Sequence, residues 1–210
     1  IQITGCSNYV YNVGSLSLSK IKRFKAIDKS IFFKKFGIKN DPYILVTFHP
    51  ETISLDSNLL YVKEISKALS EICREINVII TMPNADTLGS IYRKEINDLR
   101  DNNKNSIFLI ENFGKKYYFN AMHYSTLLLG NTSSGIIEAA SFGKYVINVG
   151  DRQKGRTQSL NVHDVNFNSN NIIKTTLKLL SYDPYSGENI YFKTNPEKKI
   201  IKILKNNFHL

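Results

Sequence analysis

From Tyr43 onward the chain alternates short, continuously apolar runs with longer stretches whose apolar residues fall at helical spacing, and few architectures accept that alternation. Tyr43–Phe48, Asn77–Met82, Ser106–Glu111, Thr126–Leu129 and Tyr145–Val149 read as buried strands. Between the first two, Asn58–Glu75 sets Leu59, Val62, Ile65, Leu69 and Ile72 on one helical stripe. Thr87–Arg100, Lys115–Tyr124 and Ser134–Phe142 repeat the pattern, the last closed by Gly143. Asn161–Val165 is expected as a further strand and Asn170–Leu180 as a helix. A turn at Asp183–Gly187 then precedes a terminal basic helix at about Pro196–Asn206. At the other end, Tyr9–Val13 suggests an edge strand and Ser19–Phe36 a helix. Strands joined by helices form βαβ units, and such units build a parallel sheet with helices on both faces. The expected fold class is therefore α/β, with a Rossmann-like parallel sheet.

Composition narrows the function classes. Of 210 residues, 42% are hydrophobic, enough for a real core, and no run approaches the roughly 18 apolar residues that a membrane-spanning helix needs. The formal net charge is +10. Its lysines are scattered among Asn and Ile, and the denser groups Lys20–Arg23 and Lys198-Lys199 lie in helix-like segments, as solvated faces do. Without a nucleic-acid motif beside it, that charge does not make a nucleic-acid binder. Cys6 and Cys73 are far apart and lack metal-ligand spacing, which supports neither a disulfide framework nor a zinc site. A cytoplasmic setting is expected, with no metal and no cofactor. The chain opens Ile1-Gln2-Ile3-Thr4 and is read as a fragment of a longer protein.

In open parallel sheets, ligands bind at the carboxyl ends of the strands. The polar residues His49, Asn84, Asn112, Asn131–Ser134 and Asp151-Arg152 each come directly after a predicted strand, which collects them on one rim. The richest of these loops is Gly130-Asn131-Thr132-Ser133-Ser134-Gly135, leading straight into a helix. Small residues there let a phosphate approach the backbone, and the N–H groups of a first helical turn attract it. Amides at 131–135 are thus a candidate pyrophosphate cradle. Glu138, a few residues on, suits a ribose diol; its plainer reading is a carboxylate complementing the helix dipole. His49 is held before Pro50 and suits a phosphate oxygen or a leaving group; bonding to nearby backbone is the alternative. Arg152 offers a forked contact to phosphate, or a surface pair with Asp151. Phe113 and Tyr118 suit a base, or the core. No Ser–His–Asp set or close carboxylate pair is visible, so these residues bind a nucleotide without performing an obvious reaction.

Two long motifs now become informative: Gly130 through Gly143 (GNTSSGIIEAASFG), and Val146 through Arg156 (VINVGDRQKGR). With Thr47–Thr52 (TFHPET), Met82–Asp86 (MPNAD) and Val13–Leu16 (VGSL), they resemble, in order, the signature of the UDP-N-acetylglucosamine 2-epimerases. The similarity is greatest to the hydrolysing branch that feeds sialic-acid-type sugar synthesis. Thr132 stands where that family usually has Ser, and Ala140 where Pro is frequent.

The resemblance implies the C-terminal half of a GT-B type two-domain fold. Residues 1–18 would be an edge strand and linker from a preceding N-terminal domain, 19–187 the Rossmann-like nucleotide-binding domain and 188–210 a C-terminal crossing helix. It puts His49, Asn84, Ser133, Glu138 and Arg152 on nucleotide-binding positions, in the company of Thr132, Ser134 and Gly135. His49, Ser133 and Arg152 would lie near the diphosphate, Glu138 at the ribose and Phe113 near the base, with His49 assisting the departing diphosphate. The implied reaction eliminates UDP from UDP-N-acetylglucosamine through a glycal, then adds water to release N-acetylmannosamine or a related sugar. The carboxylates that move the protons belong to the N-terminal domain, so this chain alone is expected to be inactive. The sugar is N-acetylglucosamine or a 2,4-diacetamido relative, the base uracil or guanine, and the assembly a homo-oligomer. The rival readings are a GT-B glycosyltransferase domain and a non-catalytic nucleotide-sugar-binding module.

Overall fold

The structure, a computed structural model, describes residues 5, 7–51, 57–83 and 89–208. Six strands form one sheet: β1 (Tyr43–Thr47), β2 (Asn77–Thr81), β3 (Ile107–Ile110), β4 (Leu128–Gly130), β5 (Val146–Val149) and β6 (Val162–Val165). Their spatial order is β3-β2-β1-β4-β5-β6 and every pairing is parallel. This is the Rossmann-like parallel sheet expected from the sequence.

The period-2 alternation of strand side chains splits the core in two. Ile44, Val46, Val78, Ile80, Leu129 and Ile147 point to one face, where α2 (Asn58–Ile72), α3 (Gly89–Asn102) and α6 (Ser169–Leu180) cover them with Val62, Ile65, Leu69, Tyr92, Ile96 and Ile172. Tyr43, Leu45, Ile79, Leu128 and Val146 point to the other, under α1 (Lys29–Phe36) and α4 (Gly114–Tyr124), which supply Phe32, Phe33, Ala121 and Met122. A strand buried on both faces has to be apolar at consecutive positions, which is why β1 reads as an unbroken run.

Three expectations need correction. No strand occurs among the described residues before β1, so Tyr9–Val13 is not an edge strand. That segment instead lies along the chain's late loop, where Ser15 N donates to Tyr191 O and the Lys193 ammonium to Asn12 O. The helix expected over Ser19–Phe36 is confined to Lys29–Phe36, started by the Asp28 carboxylate accepting from Ile31 N. Upstream of it lie a 3-10 turn at Ile21–Arg23 and a non-helical stretch held by tertiary bonds, in which Ile27 N donates to Asn120 Oδ1 and the Tyr124 hydroxyl to Ile27 O.

The helix expected over Ser134–Phe142 is also broken, into α5 (Ser133–Ile137) and a 3-10 turn at Ala139–Phe142. The break has a cause, because the Asn189 amide donates to Ile137 O and takes a carbonyl from the helical ladder. Gly143 closes the turn in the left-handed conformation, as its sequence position suggested. The terminal helix α7 spans Pro196–Phe208.

Candidate functional site

Because all six strands run the same way, the loops after β1, β3, β4 and β5 share the carboxyl rim, and His49, Asn112, Asn131–Ser134 and Asp151-Arg152 lie there together. Gly130 makes the rim's closest approach. Its φ is +148°, and a Cβ on it would fall 1.9 Å from Thr47 O, so only glycine lets β4 end against β1.

Asn131, the next residue, organises the rim. It is fully buried, and its N–H donates to Thr47 O at 3.1 Å. Its side-chain oxygen accepts from His49 N and its side-chain nitrogen donates to His49 O, both at 2.8 Å. Its main-chain oxygen accepts from the Arg152 guanidinium at 3.2 Å and from Gln153 Nε2 at 2.9 Å. One residue thus joins the ends of β1, β4 and β5.

A second asparagine repeats the device two residues along. Asn58, in the first turn of α2, accepts from Glu51 N and donates to Glu51 O, both at 2.9 Å. Pro50, between the two clamped residues, has no N–H to place. The buried Glu51 carboxylate then accepts from Asp151 N (2.8 Å) and Arg152 N (3.1 Å), fixing the loop that carries the guanidinium. Asp151 itself pairs with Lys154 at 3.4 Å, so the Asp151–Arg152 surface pair weighed from the sequence is not what holds this loop.

His49, Phe113, Thr132 and Ser134 line one cleft of about 590 Å3, together with Thr47, Thr81, Lys115 and Tyr118. Ser133, Gly135, Glu138 and Arg152 are not among its lining residues; Glu138 is hydrogen-bonded to the lining residue Ser134, and Arg152 to Asn131 O, one residue before Thr132. The amide cradle is narrower than expected over 131–135: Asn131 N donates to Thr47 O, Ser134 N to Thr132 Oγ1 and Gly135 N to Thr132 O. Thr132 is the N-cap of α5, and the hydroxyl it keeps in place of Ser does that work.

Glu138 is buried, and its carboxylate accepts from the Ser17 hydroxyl and is hydrogen-bonded to Ser134. Burial holds its pKa above the ordinary glutamate range, against the lowering effect of those hydroxyls and of Lys115. The Tyr118 hydroxyl shares hydrogen bonds with Thr47 and Ser134, and burial raises its pKa. Ser17 and Tyr118 therefore bring Glu138 and the start of α5 into one polar cluster. Only the Val13–Leu16 motif and the aromatic candidate Tyr118 hinted at it in the sequence.

Phe113 is placed otherwise than a base-stacking residue. It is 4% exposed, with its ring 4.6 Å from that of Phe36 and stacked at 5.9 Å on that of Phe32. The ring packs in the core, and Asn112, Phe113 and Gly114 line the cleft edge on a turn made by Asn112 Oδ1 accepting from Gly114 N. Across the cleft, Arg93 ties the β2 and β3 ends by donating to Pro83 O and pairing with Glu111. Asn84 lies outside the described residues.

Comparison with known proteins gives this rim a context. A family model described as UDP-N-acetylglucosamine 2-epimerase matches residues 2–205. A GDP/UDP-N,N'-diacetylbacillosamine 2-epimerase (hydrolyzing) from Campylobacter jejuni is 32% identical over 160 residues, covering 76% of this chain and 41% of that protein. Polysialic acid biosynthesis protein P7 of Escherichia coli is 31% identical over 210 residues, 98% of this chain and 53% of its own length. Among solved structures, an S. aureus MnaA–UDP co-structure shares the fold with a TM-score of 0.70 at 15% identity, covering 94% of this chain and 54% of the other. The chain spans about half the length of the curated relatives it matches.

Proposed function

Since the chain belongs to the UDP-N-acetylglucosamine 2-epimerase family, we propose that it is the nucleotide-sugar-binding half of a hydrolysing 2-epimerase, converting UDP-N-acetylglucosamine or a diacetamido relative to the 2-epimeric free sugar and UDP. The observation that carries this reading is the meeting, on Asn131, of the His49 backbone, the Arg152 guanidinium and the loop that opens α5. Those three elements hold a nucleoside diphosphate. Arg152 and the Ser133 region take the diphosphate, Glu138 the ribose diol, and the 112–114 backbone the base. Donors fixed before the reaction stabilise charge as it develops on a departing diphosphate, with no reorganisation at that moment. The His49 imidazole, on a backbone clamped at both its N–H and C=O, assists that departure.

On this reading the protons at the sugar carbon are moved by carboxylates of a preceding domain. Residues 1–18 link to that domain, 19–187 bind the nucleotide and 188–210 cross back. The protein works as a homo-oligomer in the cytoplasm, in sialic-acid-type sugar synthesis. The 210-residue chain by itself binds UDP and releases none from UDP-N-acetylglucosamine. Calorimetric titration with UDP, UMP and uridine tests the assignment. Affinity is expected to rise with each phosphate, and Arg152→Ala to weaken UDP by about ten-fold or more while leaving uridine unchanged, as loss of a charge-assisted contact does. Equal affinity for UDP and uridine, or an Arg152→Ala variant indistinguishable from the parent, would sink it.

A further inference from the structure

A second cleft, larger than the one lined by His49 and Thr132, lies among the described residues. It has a volume of about 720 Å3 and opens beside the ends of β5 and β6, on the α2 and α6 side of the His49–Glu51 segment. Its size lies within the roughly 300–1,000 Å3 of small-molecule sites. Two features show what chemistry it suits. The first is Asn148, which lines it from β5, is 3% exposed and donates its amide nitrogen to Asp164 Oδ1 at 2.7 Å. Its side-chain oxygen is buried and has no partner among the described residues. A buried acceptor left in that condition is destabilising and calls for a donor from outside. The second is the wall made by Tyr61 and Phe167, whose rings stack at 4.0 Å and 11°. Gly150, with φ +78°, lets the loop pass so close to Phe167 that a Cβ would meet its ring at 2.2 Å.

The remaining lining is mixed in charge and rich in hydrogen-bonding groups. Glu51 and Asp164 present carboxylates, Gln158 donates to Asp164, and Lys154 and Arg156 stand on the loop. An anion would meet those carboxylates. For a metal ion, no group of three or more His, Cys, Asp or Glu side chains converges among the described residues. A neutral ring that carries many hydroxyl donors and one apolar face fits both features: its hydroxyls satisfy Asn148 and the carboxylates, and its C–H face lies on the aromatic wall.

We propose that this cleft is a carbohydrate site that takes a free monosaccharide ring of the hexosamine class, separate from the nucleotide cleft and able to fill at the same time. The ridge built from His49, Glu51 and the 150–152 loop stands between the two. The hydroxylated-ring chemistry is read from the cleft itself and needs no particular nucleotide, while the choice of a hexosamine rests on the epimerase reading.

The test is ligand-observed NMR and calorimetry with N-acetylglucosamine and N-acetylmannosamine, on the chain alone and on the chain saturated with UDP. Saturable sugar binding that UDP leaves intact is expected. Tyr61→Ala and Asn148→Ala should each weaken it by about ten-fold, the loss of one buried contact, with UDP affinity unchanged. Because Asn148 lies within β5 and its replacement can disturb the sheet, the partly exposed Tyr61 gives the cleaner variant. Absence of sugar binding, or sugar binding that UDP competes away, overturns the proposal. So does a Tyr61→Ala effect confined to UDP-N-acetylglucosamine, since the cleft would then hold the nucleotide's own sugar. Failure of UDP to bind would overturn only the epimerase reading, the sugar titration being read on the nucleotide-free chain.

Discussion

The Asn131 side chain pairs with His49 as a neighbouring strand would, accepting from its N–H and donating to its C=O at 2.8 Å each. At the carboxyl end of β1 this amide clamp stands where a β-ladder would otherwise continue. It fixes the backbone from which the imidazole projects while the asparagine's own main chain serves β1 and Arg152. The neighbouring Asn58–Glu51 clamp makes the whole of 49–51 rigid from both sides of Pro50.

Asn131→Ala removes two buried hydrogen bonds and strands a donor and an acceptor of His49. The expected loss is about 2–4 kcal/mol of stability, read as a lower denaturant midpoint with an unchanged slope. UDP affinity should fall as well, because the His49 backbone loses its anchor, whereas Arg152 keeps the main-chain oxygen of residue 131. Asn131→Asp should do no better: a carboxylate accepts from His49 N but repels His49 O. A variant with parental stability and UDP affinity would show that the clamp is dispensable.

Two glycines with positive φ separate strain from crowding. Gly130→Ala puts a methyl group 1.9 Å from Thr47 O and is expected to prevent folding or to cost more than about 4 kcal/mol, among the largest single-residue effects. Gly155, at φ +82° with nothing within 4 Å of its hypothetical Cβ, carries only the backbone cost, about 1 kcal/mol. Melting curves of the two alanine variants should therefore differ widely. Similar values would mean that β1 and β4 separate to admit the methyl group.

The sheet was legible because burial leaves unbroken apolar runs, and β1 to β5 each fall within a residue or two of such a run, while the edge strand β6 (VHDV), partly exposed, lies within the expected Asn161–Val165. The glycine-rich loop and the rim placement of His49 and Arg152 were legible for the same reason, as breaks in that pattern. What escaped is tertiary. Tyr9–Val13 has strand-forming residues but joins neither sheet edge, and the backbone before Lys29 is set by Asn120 and Tyr124, about a hundred residues away in sequence. Asn58 looks like any polar residue opening a helix, and nothing in its neighbourhood marks it as the clamp on Glu51. Ser17 touches Glu138 only because the chain's early loop folds back over α5. Glu138 was read as suited to a ribose from its place just after the loop, and no spacing rule would have paired it with Ser17.

Phe113 gives a direct test of ring against backbone. A ring packed on Phe32 and Phe36 is structural, so Phe113→Ala is expected to cost about 3–5 kcal/mol, as large-to-small core changes do. Phe113→Leu should cost far less. At a temperature where Phe113→Leu is fully folded, its UDP affinity should match the parent's. A ten-fold weaker affinity with stability retained would mean that the ring does meet the base.

Glu138 makes stability depend on pH with a sign opposite to that of a salt-bridged carboxylate. Burial raises its pKa in the folded protein, so between the ordinary glutamate value and the raised one the native state holds a proton that the unfolded chain has released. Unfolding there releases protons, and stability falls as pH rises through that window. Above it, the folded protein carries the full cost of a buried charge. Glu138→Gln removes the titration: relative to the parent it should gain stability as pH rises through the window, and the two should converge below it. Ser17→Ala, by deleting a hydroxyl that favours the charged form, should push the window upward. Denaturation of the three proteins across the acid range, each compared with its own low-pH value, reads these slopes directly. A Glu138→Gln variant whose stability runs parallel to the parent's at every pH would show that the carboxyl titrates in the folded protein as it does in water.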